Sequence, residues 1–307
     1  ATTDPAPVTV STNLDDDRAL TVNSIRVNEG SALAVFTVTG KEGQLVKLSL
    51  SSGTATIENG NGTVLTDGSE DFGPALQYWN GSAWTNYTAN SFIEIPSDGD
   101  GSAAETAKLL VRTAIHADAL DEGDHTFTLT ATNTGLSSSM GTATIDDSGG
   151  GVRFTDVAPT GPATTDPAPV TVSTNLDDDR PITFTGGDYN ENSPRAVFTV
   201  NANPNQLLTF DVQDAAQSGK APTGDNEGKP NDSLDSATIY YSLDGGVTWQ
   251  LYIGPITAGN LPVLVAVDIT NERDDTYEGE EQLKLVVTSG GQSVSGYSSI
   301  FDDGTGT

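Results

Sequence analysis

VNEGSALAVFTV at residues 27–38 returns as YNENSPRAVFTV at residues 189–200. Each copy ends in AVFTV, a run of β-branched and aromatic residues that suits a pleated, half-buried surface. Working outward, the first half of the chain offers further runs with strand character: AVFTVTG (34–40), QLVKLSLSS (44–52), KLLVRTAI (108–115) and HTFTLTATN (125–133). The second half offers ITFTG (182–186), RAVFTVNA (195–202), QLLTFDVQ (206–213), ATIYYSL (237–243), VLVAVDIT (263–270) and QLKLVVTS (282–289). Clusters of Gly, Asn, Asp and Ser separate the runs, as turns do. ETAKLLVRTAIHADAL (105–120) is long enough for a helix. Its counterpart LPVLVAVDITNERD (261–274) is β-branched, so both read as strands.

The duplication extends beyond the opening stretch. ATTDPAPVTVSTNLDDDR occupies residues 1–18 and recurs unchanged at 163–180. ADALDEGD (117–124) matches RDDTYEGE (273–280), and TIDD (144–147) matches SIFDD (299–303). Two homologous all-β units in tandem account for this. Short strands at regular spacing make each an Ig-like antiparallel β-sandwich, over residues 1–162 and 163–307. SGGGVRFTDVAPTGPATTDPAPV (148–170) reads as the linker, with VTVSTN (170–175) as the entry strand of the second unit.

Charge sets the next constraint. The chain carries 43 acidic and 13 basic residues, a net charge of −30, with no basic stripe. Such a surface repels nucleic acid and anionic membranes, and it repels itself unless cations intervene. With no cysteine, disulfides and thiolate chemistry are excluded. No apolar stretch is long enough for a membrane-inserted helix. The first residue is Ala, with no leader ahead of it, and the expectation is a piece of a longer chain.

In each half the carboxylates gather at strand ends and turns. They are Glu29, Asp71, Asp118, Glu122, Asp124, Asp146 and Asp147 in the first half, and Glu191, Asp274, Asp275, Glu278, Glu280, Asp302 and Asp303 in the second. A hard cation such as Ca²⁺ takes six to eight oxygens from several loops, and clustered carboxylates without a basic partner repel one another unless such an ion sits among them. Taken singly, each acid fits a solvated acidic surface. The recurrence of the whole set in two diverged halves favours the metal.

The order E-x(6)-F-x-V, EDF, D-D-x-x-Y-E-G-x-E and a final strand ending in two aspartates resembles the Calx-beta domain, a β-sandwich of sodium–calcium exchangers and of giant bacterial surface proteins. The resemblance implies calcium ligands at one end of each sandwich: Glu29, Asp71, Asp118, Glu122, Asp146 and Asp147, then Glu191, Asp274, Asp275, Glu278, Asp302 and Asp303. The chain departs from the family where Ala119 replaces an acid of the turn. The second half also lacks EDF, so Asp232 or Asp235 must substitute. Asp177, Asp178 and Asp179 of the repeated LDDDR could share an ion with Asp146 and Asp147 at the joint. Alternatively, LDDDR is a polar turn partly neutralised by Arg180.

Other signals point elsewhere. SLDGGVTW (242–249) fits the Asp-box pattern, a hairpin turn with Trp249 packed beneath it, and YWNGSAW (78–84) reads as an Asn-Gly hairpin. Exposed Trp79, Trp84 and Trp249 would instead form a sugar-binding platform. DGDGS (98–102) lacks the final Glu of an EF-hand loop and reads as a turn. His116 and His125, the only histidines, read as surface residues. There is no G-x-S-x-G, P-loop or cysteine nucleophile, and paired carboxylates on so small a sandwich lack a glycosidase cleft, so no enzyme is expected.

The resemblance implies extender repeats of a secreted, RTX-type bacterial surface adhesin, rigidified by Ca²⁺ and exported by a type I system. Such repeats would support cell adhesion or biofilm attachment. Their partners would be neighbouring repeats of the same chain, with glycans or surfaces met through other domains. The alternative is a module that binds glycans or another surface ligand through its aromatic hairpins.

Overall fold

The computed structural model describes residues 15–58, 70–97, 106–154, 176–223, 234, 237–273, 275, 277 and 279–307. Residues 1–14, most of the expected linker with the strand VTVSTN, DGDGS, and the candidate ligands Asp235, Asp274 and Glu278 lie outside the described residues. Two compact units emerge. Unit 1 comprises Ala1–Asp118, Glu122–Asp146 and Gly150–Thr174; unit 2 comprises Ala119–Asp121, Asp147–Gly149 and Asn175–Thr307. Among the described residues no helix is long and apolar enough to cross a membrane.

Unit 1 is built from β1 (Thr21–Val22), β2 (Ile25–Asn28), β3 (Leu33–Lys41), β4 (Leu45–Ser52), β5 (Gln77–Trp79), β6 (Trp84–Asn86), β7 (Ile93–Glu94), β8 (Thr106–Ala114), β9 (His125–Asn133) and β10 (Ser138–Asp146). They form two five-stranded sheets, ordered β1-β3-β8-β5-β6 and β2-β10-β9-β4-β7. The segment that could have been a helix is strand β8, paired along its length with β3. Inward positions alternate as the strand period demands. On β9 they are Phe127, Leu129 and Ala131, all fully buried. Phe127 stacks on Phe72 at 4.2 Å and meets Phe36 edge-on at 5.8 Å. Burying each such ring contributes roughly 1.5–3 kcal/mol.

Unit 2 repeats the plan with β11 (Thr183–Thr185), β12 (Asp188–Asn190), β13 (Arg195–Asn201), β14 (Leu207–Gln213), β15 (Ala221–Pro222), β16 (Ile239–Ser242), β17 (Gln250–Leu251), β18 (Ile256–Thr257), β19 (Val263–Asp268), β20 (Glu280–Ser289) and β21 (Gln292–Phe301). Its sheets run β11-β13-β19-β16-β17 and β12-β21-β20-β14-β18, with β15 added alongside β20. Its core centres on Phe198, Leu208, Val265 and Leu285.

One feature common to both units positions the acids. The entering chain pairs with one sheet through β1 or β11, then crosses to the other, where β2 runs parallel to β10 and β12 parallel to β21. The crossing brings the Asn-Glu of the repeated motif to the end of the last strand. In unit 1 the Asn28 amide donates to the Asp146 and Gly150 carbonyls, at 3.4 and 3.0 Å. In unit 2 Asn190 donates to the Phe301 and Thr305 carbonyls, at 3.2 and 3.0 Å.

The entry segment also docks on its own sandwich. Fully buried Gln44 donates to the Arg18 carbonyl at 2.8 Å, and its counterpart Gln206 donates to the Arg180 carbonyl at 2.8 Å. Residues 15–18 and 176–180 are thus tied to their own sandwiches through Arg18 and Arg180.

Candidate acidic sites at the strand ends

In unit 1 Glu29 follows β2 directly. Its backbone N–H donates to the Asp146 carbonyl at 3.0 Å, and its carboxylate accepts the Asp118 N–H at 2.9 Å. Glu29 and Asp146 are both buried, the latter 1% exposed. Asp146 accepts the Gly150 N–H at 3.1 Å and the Arg26 Nε at 2.5 Å. The same guanidinium forks onto Asp124 at 2.8 and 2.9 Å, which raises the Arg26 pKa. The expectation of acids without a basic partner is thus corrected for Asp124 and Asp146. Arg26 of β2 reaches across to β10 because the parallel pairing sets Arg26 opposite Thr144, within side-chain reach of the strand end.

A second group forms at the mouth of the unit 1 core. Asp71 belongs to Glu-Asp-Phe, and the next residue, Phe72, is locked into the core against Phe127. The anchor holds the buried Asp71 carboxylate over the start of β9. One of its oxygens accepts the Thr56 N–H at 2.5 Å; the other lies 2.7 Å from His125 Nδ1. A Glu122 oxygen lies 3.8 Å from the same nitrogen. One donor atom from each of Asp71, Glu122 and His125 falls within 4.8 Å of the other two.

His116 also turns inward, with Nε2 3.5 Å from Glu58 and its backbone N–H on the Asp71 carbonyl at 3.0 Å. Neither histidine is the surface residue expected. The signal was in the sequence: in HTFTLTATN, His125 has the same parity as the core residues Phe127 and Leu129.

In unit 2 the repeated aspartates separate by role. Asp178 is held bidentately by Arg180, at 2.8 and 2.7 Å, as Asp16 is by Arg18 in unit 1 at 2.9 and 2.8 Å. The hydrogen bonds from Arg18 hold the Asp16 carboxyl below its usual range. Ser148 pairs with Asp178 through a β-bridge. Asp179 accepts the Gln292 amide at 2.6 Å. The Asp147 and Asp179 carboxylates, 3% and 4% exposed, approach within 4.8 Å of each other. Asp177 is half-buried.

At the far end of unit 2, Glu191 is buried, with its N–H on the Phe301 carbonyl at 3.0 Å. Glu280 pairs with Lys220 and accepts the Ser299 hydroxyl at 2.8 Å, and the lysine bond lowers its pKa. Asp303 accepts the Thr305 hydroxyl and, at 2.9 Å, its N–H, which likewise lowers its pKa. Asp275 is exposed, and Asp302 is half-buried with its N–H on Gly279.

The aromatic hairpins divide by unit. Trp79 and Trp84 face each other across β5 and β6, edge to face at 5.7 Å, on buried Leu110. Trp79 is 4% exposed, and the Arg112 guanidinium covers the Trp84 ring at 4.1 Å. The Trp79 ring is thus taken up by the core, and Trp84 is half-buried with Arg112 against its ring. The Asp-box forms the expected turn: Asp244 accepts the Thr248 hydroxyl at 2.6 Å, its N–H at 2.9 Å and the Ser242 hydroxyl at 2.7 Å. These bonds lower the Asp244 pKa to about 2. Trp249 is half-buried, with Arg195 4.0 Å from the Tyr240 ring and 6.0 Å from its own.

These features define a class: a chain of two Ig-like β-sandwiches with acidic clusters at strand ends. No protein-family model matches the chain, and no curated protein matches it. Among solved structures it is similar to the periplasmic chaperone SfaE, at 12% identity and TM-score 0.24, over 40% of this chain and 58% of that one. It is similar to mouse clustered PcdhgC3 EC1-3, at 12% identity and TM-score 0.32, over 93% of this chain and 68% of that one. A third likeness is to the C-terminal domain of the Streptococcus agalactiae AgI/II polypeptide BspA, at 6% identity and TM-score 0.32, over 92% of this chain and all of that one. At such scores no ligand or activity carries over from these proteins.

Proposed function

We propose that the chain is a pair of non-catalytic extender repeats, bounded at residues 162 and 163, that work outside the cell in adhesion and take Ca²⁺ at their acidic strand ends. The observation that carries this reading is the pair Asp147 and Asp179: two buried carboxylates within 4.8 Å of each other in a chain of net charge −30. Burying like charges together is costly, and a divalent cation removes the cost. Glu29 and Asp118 in unit 1, and Glu191 with Asp302 and Asp303 in unit 2, supply oxygens of the hard type Ca²⁺ prefers.

An ion that binds only the folded chain stabilises it by RT ln(1 + [L]/Kd). Extracellular modules bind Ca²⁺ at about 10⁻⁴–10⁻³ M, so millimolar calcium outside the cell holds such repeats firm, and the low calcium within it leaves them loose. Resistance to load is the property an extender needs. Single-molecule pulling of the 307-residue chain, in 2 mM Ca²⁺ and in EDTA, tests it. The unfolding force of the units falls in EDTA if the reading holds, and equal forces in both buffers refute it.

A further inference from the structure

We propose that Asp71, Glu122 and His125 of unit 1 form a binding site for a borderline transition cation of the Zn²⁺ class. This goes beyond the calcium reading, which rests on Asp147 and Asp179. The donor set is one imidazole nitrogen and two carboxylate oxygens. Hard Ca²⁺ takes oxygen; imidazole suits Zn²⁺ and its neighbours in the first transition row.

Two of the three donor separations bracket the edge of a zinc tetrahedron. Ligands about 2.0–2.1 Å from a zinc ion stand about 3.3 Å apart. The observed separations are 2.7 Å for His125 Nδ1 to Asp71 and 3.8 Å for His125 Nδ1 to Glu122, with all three donors inside 4.8 Å. Shifts of about half an ångström bring the two histidine separations to that value, and side-chain rotation of Glu122 closes its distance to Asp71. The fourth corner is left to water or to a donor from a partner molecule, as in open three-ligand zinc sites.

Three features equip the group for a ligand. Asp71 is buried, and among the described residues no lysine or arginine pairs with it. It is anchored through Phe72 on Phe127, and its second oxygen is fixed by the Thr56 N–H. A carboxylate whose other oxygen is hydrogen-bonded, next to a residue locked into the core, is pre-oriented as metal ligands are. His125 is set by the inward parity of β9, and Glu122 reaches in from the exposed loop just ahead of that strand. Unit 2 is an internal control. Its inward position at the start of β20 is Glu281, and it has no histidine.

The test is titration of the whole 307-residue chain with ZnCl₂ in the presence of 2 mM Ca²⁺, read by calorimetry and by the imidazole ¹⁵N resonances. The expected result is one site per chain, with the His125 Nδ1 resonance displaced and His116 unmoved. His125→Asn and Glu122→Gln each weaken binding by about tenfold or more, while His116→Asn leaves it unchanged. Glu122 is exposed, so Glu122→Gln keeps the fold and the Asp71–His125 contact even if His125→Asn does not. Zn²⁺ binding that is equal in wild type and Glu122→Gln, or that displaces His116, or that 2 mM Ca²⁺ abolishes, overturns the proposal. Thermal stabilisation of the wild-type chain by Ca²⁺ is a separate readout: if it is present while Zn²⁺ fails to bind, this site alone falls, and if it is absent while Zn²⁺ binds, the calcium reading alone falls.

Discussion

Replacing Arg26 by Met separates the electrostatic frame of unit 1 from its hydrophobic core. The guanidinium bridges two carboxylates of unlike burial: Asp146 is 1% exposed, Asp124 is 44% exposed, and Arg26 itself is 48% exposed. The outer pair with Asp124 is a surface ion pair worth about 0–1 kcal/mol. The inner pair differs, because its loss strands a buried carboxylate without its cation. Breaking a fully buried pair costs about 3–5 kcal/mol. Since Arg26 is half in solvent, about 2–3 kcal/mol is the appropriate figure once screening is allowed for.

The total is about 2–4 kcal/mol, which lowers the Tm of a unit this size by about 5–15 °C. Trp79 and Trp84 lie in unit 1 and Trp249 in unit 2, so fluorescence of a Trp249→Phe background reports unit 1 alone. Asp124→Asn in that background should cost less than about 1 kcal/mol. A Tm change below about 2 °C for Arg26→Met, or an equal loss for Asp124→Asn, refutes the reasoning that burial of Asp146 makes this bridge matter.

Three further outcomes follow from the same geometry. Asp244 is held at about 2 against an ordinary 3.8 by the Asp-box bonds; a depressed carboxylate stabilises above its unfolded pKa and loses that contribution as pH falls through the folded value. The stability of unit 2 relative to Asp244→Asn should therefore shrink between about pH 4 and pH 2, measured by urea unfolding at each pH. A Cβ on Gly141 would stand 2.0 Å from the Asn23 carbonyl, and one on Gly296 1.9 Å from the Phe184 ring; each Gly→Ala change should cost about 1–3 kcal/mol by chemical denaturation. Gln44→Leu and Gln206→Leu each strip a buried donor from the carbonyl of LDDDR, and each should cost about 1–3 kcal/mol in its own unit, with similar values because the two ties are alike.

Much of the fold was legible because the long strands carry their own period. The runs at 34–40, 125–133 and 195–202 match β3, β9 and β13 almost residue for residue. The final strands were not legible along their length. SSMGTATID and QSVSGYSSIF are rich in Ser, Gly and Thr, and only their C-terminal ends stood out as strand, yet β10 and β21 each lie between two other strands. Their small residues are there because chain passes close by: Gly141 abuts the Asn23 carbonyl, and Gly296 abuts Phe184. A single-strand pattern carries no trace of that neighbour.

The candidate site divides in the same way. Positions such as Glu29, just after a strand, and Asp71, within Glu-Asp-Phe, could be read from motifs. That Arg26 bridges Asp124 and Asp146 depends on the parallel pairing of β2 with β10, a contact between residues far apart in sequence. His125 was legible by parity, but its short polar neighbours Thr126 and Thr128 made the strand look solvated at that end.

The central claim is that the acidic strand ends are calcium sites, and the most direct measurement is the thermal unfolding of the chain across a Ca²⁺ titration with Mg²⁺ as control. The account predicts a calcium-specific rise in Tm with a midpoint near 0.1–1 mM, lost in Asp179→Asn and absent with Mg²⁺. An unchanged Tm, or an equal rise with both ions, contradicts it and makes Asp147, Asp179 and their neighbours a solvated acidic surface.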